Sequence, residues 1–129
     1  MKVMVTGYRR MTDTATVLDA LARHVPADAT ILVGDCPTGV DAIVRKHWPP
    51  DQTEVYVADW NGLGRAAEPR RNQRMIDQRP DLVLAFPGPC TKPVCRGKAA
   101  HWSHDTVDAM RRAREAGLAV KVYSESLLG

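Results

Sequence analysis

The chain has 129 residues, 44% of them hydrophobic and 26% charged, which suits one globular domain over residues 1–129 with its own buried core. No apolar run approaches the roughly 20 residues of a membrane-spanning helix, and the opening run stops at Gly7, Arg9 and Arg10, too early for a secretory signal. Eighteen Lys and Arg against 15 Asp and Glu is too mild a balance for a dedicated nucleic-acid binder, whose footprint is a strongly basic face.

The elements alternate along the chain. Lys2 to Val5 is an apolar run closed by Gly7 and reads as a buried strand. Asp13 suits the cap of a helix with Val17, Leu18, Leu21 and Val25 at helical spacing, ended by Pro26. Ile31 to Val33 is a second buried strand, stopped by Gly34. Gly39 to His47 predicts a helix with Val40, Ile43, Val44 and His47 on one side, closed by Pro49 and Pro50. Glu54 to Val57 reads as a third strand, and Pro69 suits the first turn of a helix running to about Asp77. Leu82 to Phe86 is the fourth strand. The connection from Pro87 to Trp102 follows, long enough to suggest a functional loop. Ser103 suits the cap of a last helix carrying Val107, Met110 and Ala113 and stopped by Gly117. Leu118 to Tyr123 is the fifth strand, and a short tail ends the chain.

Strands and helices in this order predict an α/β domain, a five-stranded parallel sheet flanked by helices on both faces. Strands that are apolar at nearly every position agree, because both of their faces are buried. In such sheets the ligand crevice lies beyond the carboxyl ends of the strands, where the strand order reverses. The turns after the strands are therefore the place to look for function.

Four groups of residues in those turns carry candidate chemistry. Thr6-Gly7-Tyr8-Arg9 offers a glycine turn beside an anion-binding arginine. Gly34 to Asp41, with Thr38 and Gly39, joins a strand to a helix N-terminus, an arrangement that binds phosphates or riboses; the alternative is a turn with Asp41 as a cap. Asp59 and Trp60 offer a carboxylate and a stacking face, although Trp60 serves equally well as core. In the same third group, Arg71 and Asn72 stand at a helix start beneath a strand end, whereas Arg74 and Arg79 read as solvated surface.

The fourth group is Cys90, Cys95, His101 and His104 in the long loop. Two thiols and two imidazoles make a tetrahedral zinc set. Against it, His-x2-His is tighter than the usual finger, and such spacings arise by chance. The sequence expectation is therefore no metal and three reduced thiols in a cytoplasmic protein.

Taken together, the turns resemble the YspA-type branch of the SLOG superfamily, Rossmann-like relatives of LOG and DprA-like proteins. The resemblance runs from Val3 to about Tyr123. It rests on Thr6-Gly7-x-Arg9, Gly34 with Gly39-x-Asp41, Ala58-Asp59-Trp60, Arg71-Asn72 with Met75, and Ala85-Phe86-Pro87-Gly88. It implies that a small nucleotide or nucleotide-derived ligand is bound or sensed at the strand ends. The ligand residues implied are Thr6, Gly7, Arg9, Gly34, Thr38, Gly39, Asp41, Asp59, Trp60, Arg71, Asn72, Pro87, Gly88, Ser103 and Thr106. Paired domains are common in the superfamily, which leaves a homodimer open.

Two departures weigh against catalysis. Pro89 stands where family members carry a second glycine, and Asp105-Thr106 stands where they carry Gly-Thr at the head of the last helix. The glutamate of LOG-type nucleotide N-glycosidases falls on Ala109, with Asp108 one residue away. A hydrolytic alternative would use Arg71 with Asp59 or Asp108. Single-stranded nucleic-acid binding is a second alternative, disfavoured by three Trp, three Tyr and one Phe.

Overall fold

A computed structural model describes residues 1–123. The strands are β1 (Lys2–Gly7), β2 (Thr30–Gly34), β3 (Thr53–Tyr56), β4 (Leu82–Phe86) and β5 (Val120–Val122). The helices are α1 (Thr14–His24), α2 (Gly39–His47), α3 (Trp60–Leu63), α4 (Ala67–Asp77) and α5 (His104–Glu115). All pairings are parallel and the order is β3-β2-β1-β4-β5. The architecture is therefore α/β, one Rossmann-like layer of five strands between two layers of helices.

Alternation along the strands explains the two-sided core. Val3 and Val5 of β1 point to one face with Ile31, Val33, Leu84 and Phe86, and there Val17 and Leu21 of α1 and Val40 and Val44 of α2 cover them. Met4, Leu32 and Val83 point to the other face, under Met75 and Ile76 of α4 and Ala109 and Ala113 of α5. β3 is an edge strand, and its Val55 is exposed.

Boundaries shift in ways that have physical causes. β3 begins one residue before the expected run because the turn Pro50–Gln52 delivers Thr53 straight into pairing with Ile31. Short α3, capped by Asp59, carries too few apolar residues to announce itself by period. α4 begins at Ala67 rather than Pro69, since Gly64–Ala66 already form a helical turn ahead of it. His47 is exposed at the end of α2, outside the buried stripe. β5 is shorter than expected, and the tail after Tyr123 lies outside the described residues. Among the described residues, no helix is long and apolar enough to cross a membrane.

Candidate functional site

The strand order reverses at β1: the chain moves outward through β2 and β3, then returns to build β4 and β5 on the other side. A cavity of about 350 Å³ opens at that point, beyond the carboxyl ends of the strands. Gly7, Tyr8, Arg9 and Arg10 from the β1 turn form one side of it, and Cys36 and Asp41 from the β2 turn form another. Trp60 of α3 and Glu68 and Arg71 of α4 face it across the sheet end. The remaining wall is Cys90 to Pro93 of the long loop and Ser103 to Thr106 at the start of α5.

The floor is an ion cluster. Arg71, about 5% exposed, reaches from α4 with Nη1 3.3 Å from Asp35 and Nη2 2.9 Å from Asp105. Asp41 sits beside it, its Oδ2 accepting from the Cys36 backbone N–H at 3.3 Å. Gly34 makes this approach possible. A Cβ there would lie 2.6 Å from Asp41 Oδ2 and 3.0 Å from Arg71 Cζ. Burial pushes the Asp41 carboxyl up to about 6, opposed chiefly by the Arg71 guanidinium. Glu68 behaves alike: burial, then the neighbouring Asp105 carboxylate, pushes it up to about 7, against the pull of Arg71 and Arg9. Burial alone would make Arg71 easier to deprotonate, but Asp105, Asp41 and Glu68 outweigh it.

The expected ligand residues divide between lining and scaffold. Gly7, Arg9, Asp41, Trp60, Arg71, Ser103 and Thr106 line the cavity. Thr38 instead donates to the Arg9 carbonyl at 2.8 Å, and the Val40 N–H donates to the Tyr8 carbonyl at 3.3 Å, so the β2 turn fastens the β1 turn. Gly39 holds φ +72°, and a Cβ on it would strike the Tyr8 carbonyl. Thr6 is buried within β1, and Gly88 lies against the Tyr8 ring just after Pro87. Asn72 is fully buried and donates to the Asp105 carboxylate at 2.9 Å. Those residues build the site without facing its space.

The catalytic candidates Asp59 and Asp108 are engaged elsewhere. Asp59 accepts from the Gly62 N–H at 2.9 Å as the cap of α3. Asp108 is paired with Arg111 at 3.0 Å and with Arg112 at 2.9 Å, outside this cavity's lining. Ala109 has no exposure and packs with Met4, Leu32 and Met75. Asp105, which stands where the resemblance places a glycine at the head of α5, is turned onto Arg71 and Asn72.

Sequence reasoning missed Asp35, Glu68 and Arg45, and it did not foresee Asp105 as the partner of Arg71. Arg45 donates to the Gly34 carbonyl at 2.8 Å and to the Cys36 carbonyl at 2.7 Å, pinning the β2 turn from beneath. Its position on α2, one turn after Asp41, was the available signal. The four loop residues Cys90, Cys95, His101 and His104 do come together beside the cavity.

No known family profile and no solved structure matches the chain. The Gene 61 protein of Mycobacterium phage D29 is 30% identical over 128 residues, an alignment covering 92% of this chain and 93% of the phage protein. The chain belongs to the Gene 61 protein family. The alignment extends over nearly all of both chains, so it takes in the strand-end turns as well as the core.

Proposed function

We propose that the protein binds a small nucleotide or nucleotide-derived molecule in the cavity where the strand order reverses. One observation carries the reading: cations, carboxylates and an exposed aromatic face surround a single space of about 350 Å³, a size suited to a small ligand. Trp60, 53% exposed, offers its ring for a base to stack on. Arg9, Arg10 and Lys92 stand at the mouth to meet phosphate oxygens. The carboxylates of Asp41 and Glu68 lie deeper and suit the hydroxyls of a ribose. The order of the turn motifs, which resembles YspA-type SLOG proteins, supports the same ligand class.

The test is native mass spectrometry of untagged protein, followed by calorimetry with a panel of nucleoside mono- and diphosphates. Saturable binding that weakens in Trp60→Ala supports the reading. Absence of binding across the panel at millimolar concentration overturns it.

A second reading, hydrolysis of the glycosidic bond of a nucleotide, has one observation behind it. Glu68, pushed up to about 7 chiefly by burial, sits beside Asp105 in the same cavity, and a carboxyl that keeps its proton near neutral pH can act as a general acid. Glu68 would give its proton to the departing base as the glycosidic C–N bond breaks, water would add to the ribose carbon, and the proton that water loses would return to the Glu68 carboxylate through solvent. Saturable release of free base by chromatography, lost in Glu68→Gln, would establish hydrolysis. Binding without release leaves the first reading standing.

A further inference from the structure

The four donor atoms of Cys90, Cys95, His101 and His104 all lie within 4.8 Å of one another. Cys95 Sγ is 3.6 Å from His104 Nε2, and His101 Nε2 is 3.1 Å from the same nitrogen. In a zinc tetrahedron with Zn–N of about 2.0–2.1 Å and Zn–S of about 2.3 Å, the N···S edge is roughly 3.5 Å and the N···N edge roughly 3.4 Å. The sulfur–nitrogen contact matches its edge, and the nitrogen–nitrogen contact is about 0.3 Å shorter than its edge.

The surroundings of the ring nitrogens agree. His101 Nδ1 lies 2.8 Å from the Ala99 carbonyl, which can only accept, so Nδ1 carries the proton and Nε2 presents its lone pair. A backbone carbonyl on the far nitrogen is the usual partner of a metal-ligating histidine.

Apolar packing does not account for this convergence. Val94, next to Cys95, is 76% exposed, and His104 and most of the loop from Thr91 to Ala100 are exposed as well. Backbone bonds close the base of the loop: Cys90 N–H donates to the His101 carbonyl at 2.8 Å, and Ser103 N–H to the Gly88 carbonyl at 2.7 Å. They bring Cys90 near His101 but leave Cys95 and His104 free to turn away.

We propose that Cys90, Cys95, His101 and His104 form a structural zinc site. Four protein ligands complete the coordination sphere, which makes the ion a clamp rather than a reaction centre. It ties the exit of β4, the turn Pro93–Cys95 and the first residue of α5 to one point. On binding, both thiols lose their protons to solvent, and the two thiolates neutralise the ion. Lys92 and Pro93, held between two of the ligands, are thereby fixed as a wall of the ligand cavity.

The experiment uses the full chain without an affinity tag, purified under reducing conditions and analysed for metal. About one equivalent of zinc per chain is expected, falling at least tenfold in Cys95→Ser and in His101→Ala but unchanged in Cys36→Ser. Metal-free protein, kept reduced, is then titrated with cobalt(II). Intense visible d–d bands and a thiolate charge-transfer band, saturating at one equivalent and bleached by zinc, are the result expected of a tetrahedral site. The idea is overturned by weak octahedral bands, by no cobalt spectrum at all, or by a Cys90–Cys95 disulfide whose reduction yields no metal-binding form. Circular dichroism of each variant separates loss of the site from loss of the fold.

Discussion

Arg71 and Asp105 stand 34 residues apart in sequence and meet at 2.9 Å between α4 and α5, at the floor of the cavity. The pair joins two helices on one face of the sheet and carries the Asn72 amide with it. Because Arg71 is committed to Asp105 and Asp35, its charge is already matched before any ligand arrives. Its first effect is on stability.

Arg71→Met should therefore destabilise the fold by about 2–4 kcal/mol. Breaking a buried pair leaves carboxylates uncompensated, but water reaches Asp35 and Asp105 and reduces the penalty. Arg71→Lys should recover only part of the loss, since an ammonium cannot fork to two carboxylates. Urea unfolding measures both, and a midpoint for Arg71→Met equal to wild type would refute the argument.

Asp41 predicts a pH signature. Its carboxyl is raised from 3.8 to about 6 in the folded protein, so between those values the native state binds more protons than the unfolded state. Its contribution is most favourable below pH 4 and worsens by about 3 kcal/mol as pH rises through 6. The charges facing it are Arg45 on its own helix, Arg71 on α4 and Asp105 on α5, with the Cys36 N–H in the loop. Asp41→Asn should thus gain on wild type as pH rises. Unfolding free energies at pH 4 and pH 7 decide it, and a constant gap between the two proteins contradicts the assignment.

Gly34→Ala should cost about 1–3 kcal/mol, because a methyl group 2.6 Å from Asp41 Oδ2 must push the ion cluster apart. The change should also shift the pH dependence assigned to Asp41, which distinguishes it from a loss spread over the whole fold. Thermal unfolding across pH reports both effects.

For the ligand, Trp60 and Arg9 are cleaner probes than Arg71, since both are more than half exposed. Trp60→Ala should weaken nucleotide binding by about 1–3 kcal/mol, the usual contribution of base stacking on an aromatic face. Arg9→Ala should lose less, about 1 kcal/mol, because its charge sits in high dielectric and is shared with Glu68 at 3.1 Å. Calorimetry checks both, and unfolding midpoints near wild type are expected for both.

The layered fold was legible because Val3, Met4 and Val5, like Ile31, Leu32 and Val33, form runs too apolar for anything but a strand covered twice. The position of the cavity followed from glycine turns after those strands. Its floor did not. Asp35, Arg71 and Asp105 have no common period; the packing of α4 on α5 brings Arg71 to Asp105, and the turn after β2 brings Asp35 to the same guanidinium. Thr38 misled for a related reason: a hydroxyl in a strand-end loop suits a ligand phosphate, but it is equally well satisfied by the Arg9 carbonyl.

The central place of β1 has a consequence for how the chain comes off the ribosome. Its pairing with β2 needs only the first third of the sequence, but its other edge waits for β4, and Lys2 meets Asp81 across 79 residues. Until β4 emerges, Val3 to Gly7 present an open apolar edge with nothing to close it. Long-range parallel pairing of this kind is slow and leaves intermediates prone to association. Synthesis of the stretch between β2 and β4 is thus the interval in which a nascent chain most needs a chaperone, and slowing translation there would lengthen its exposure.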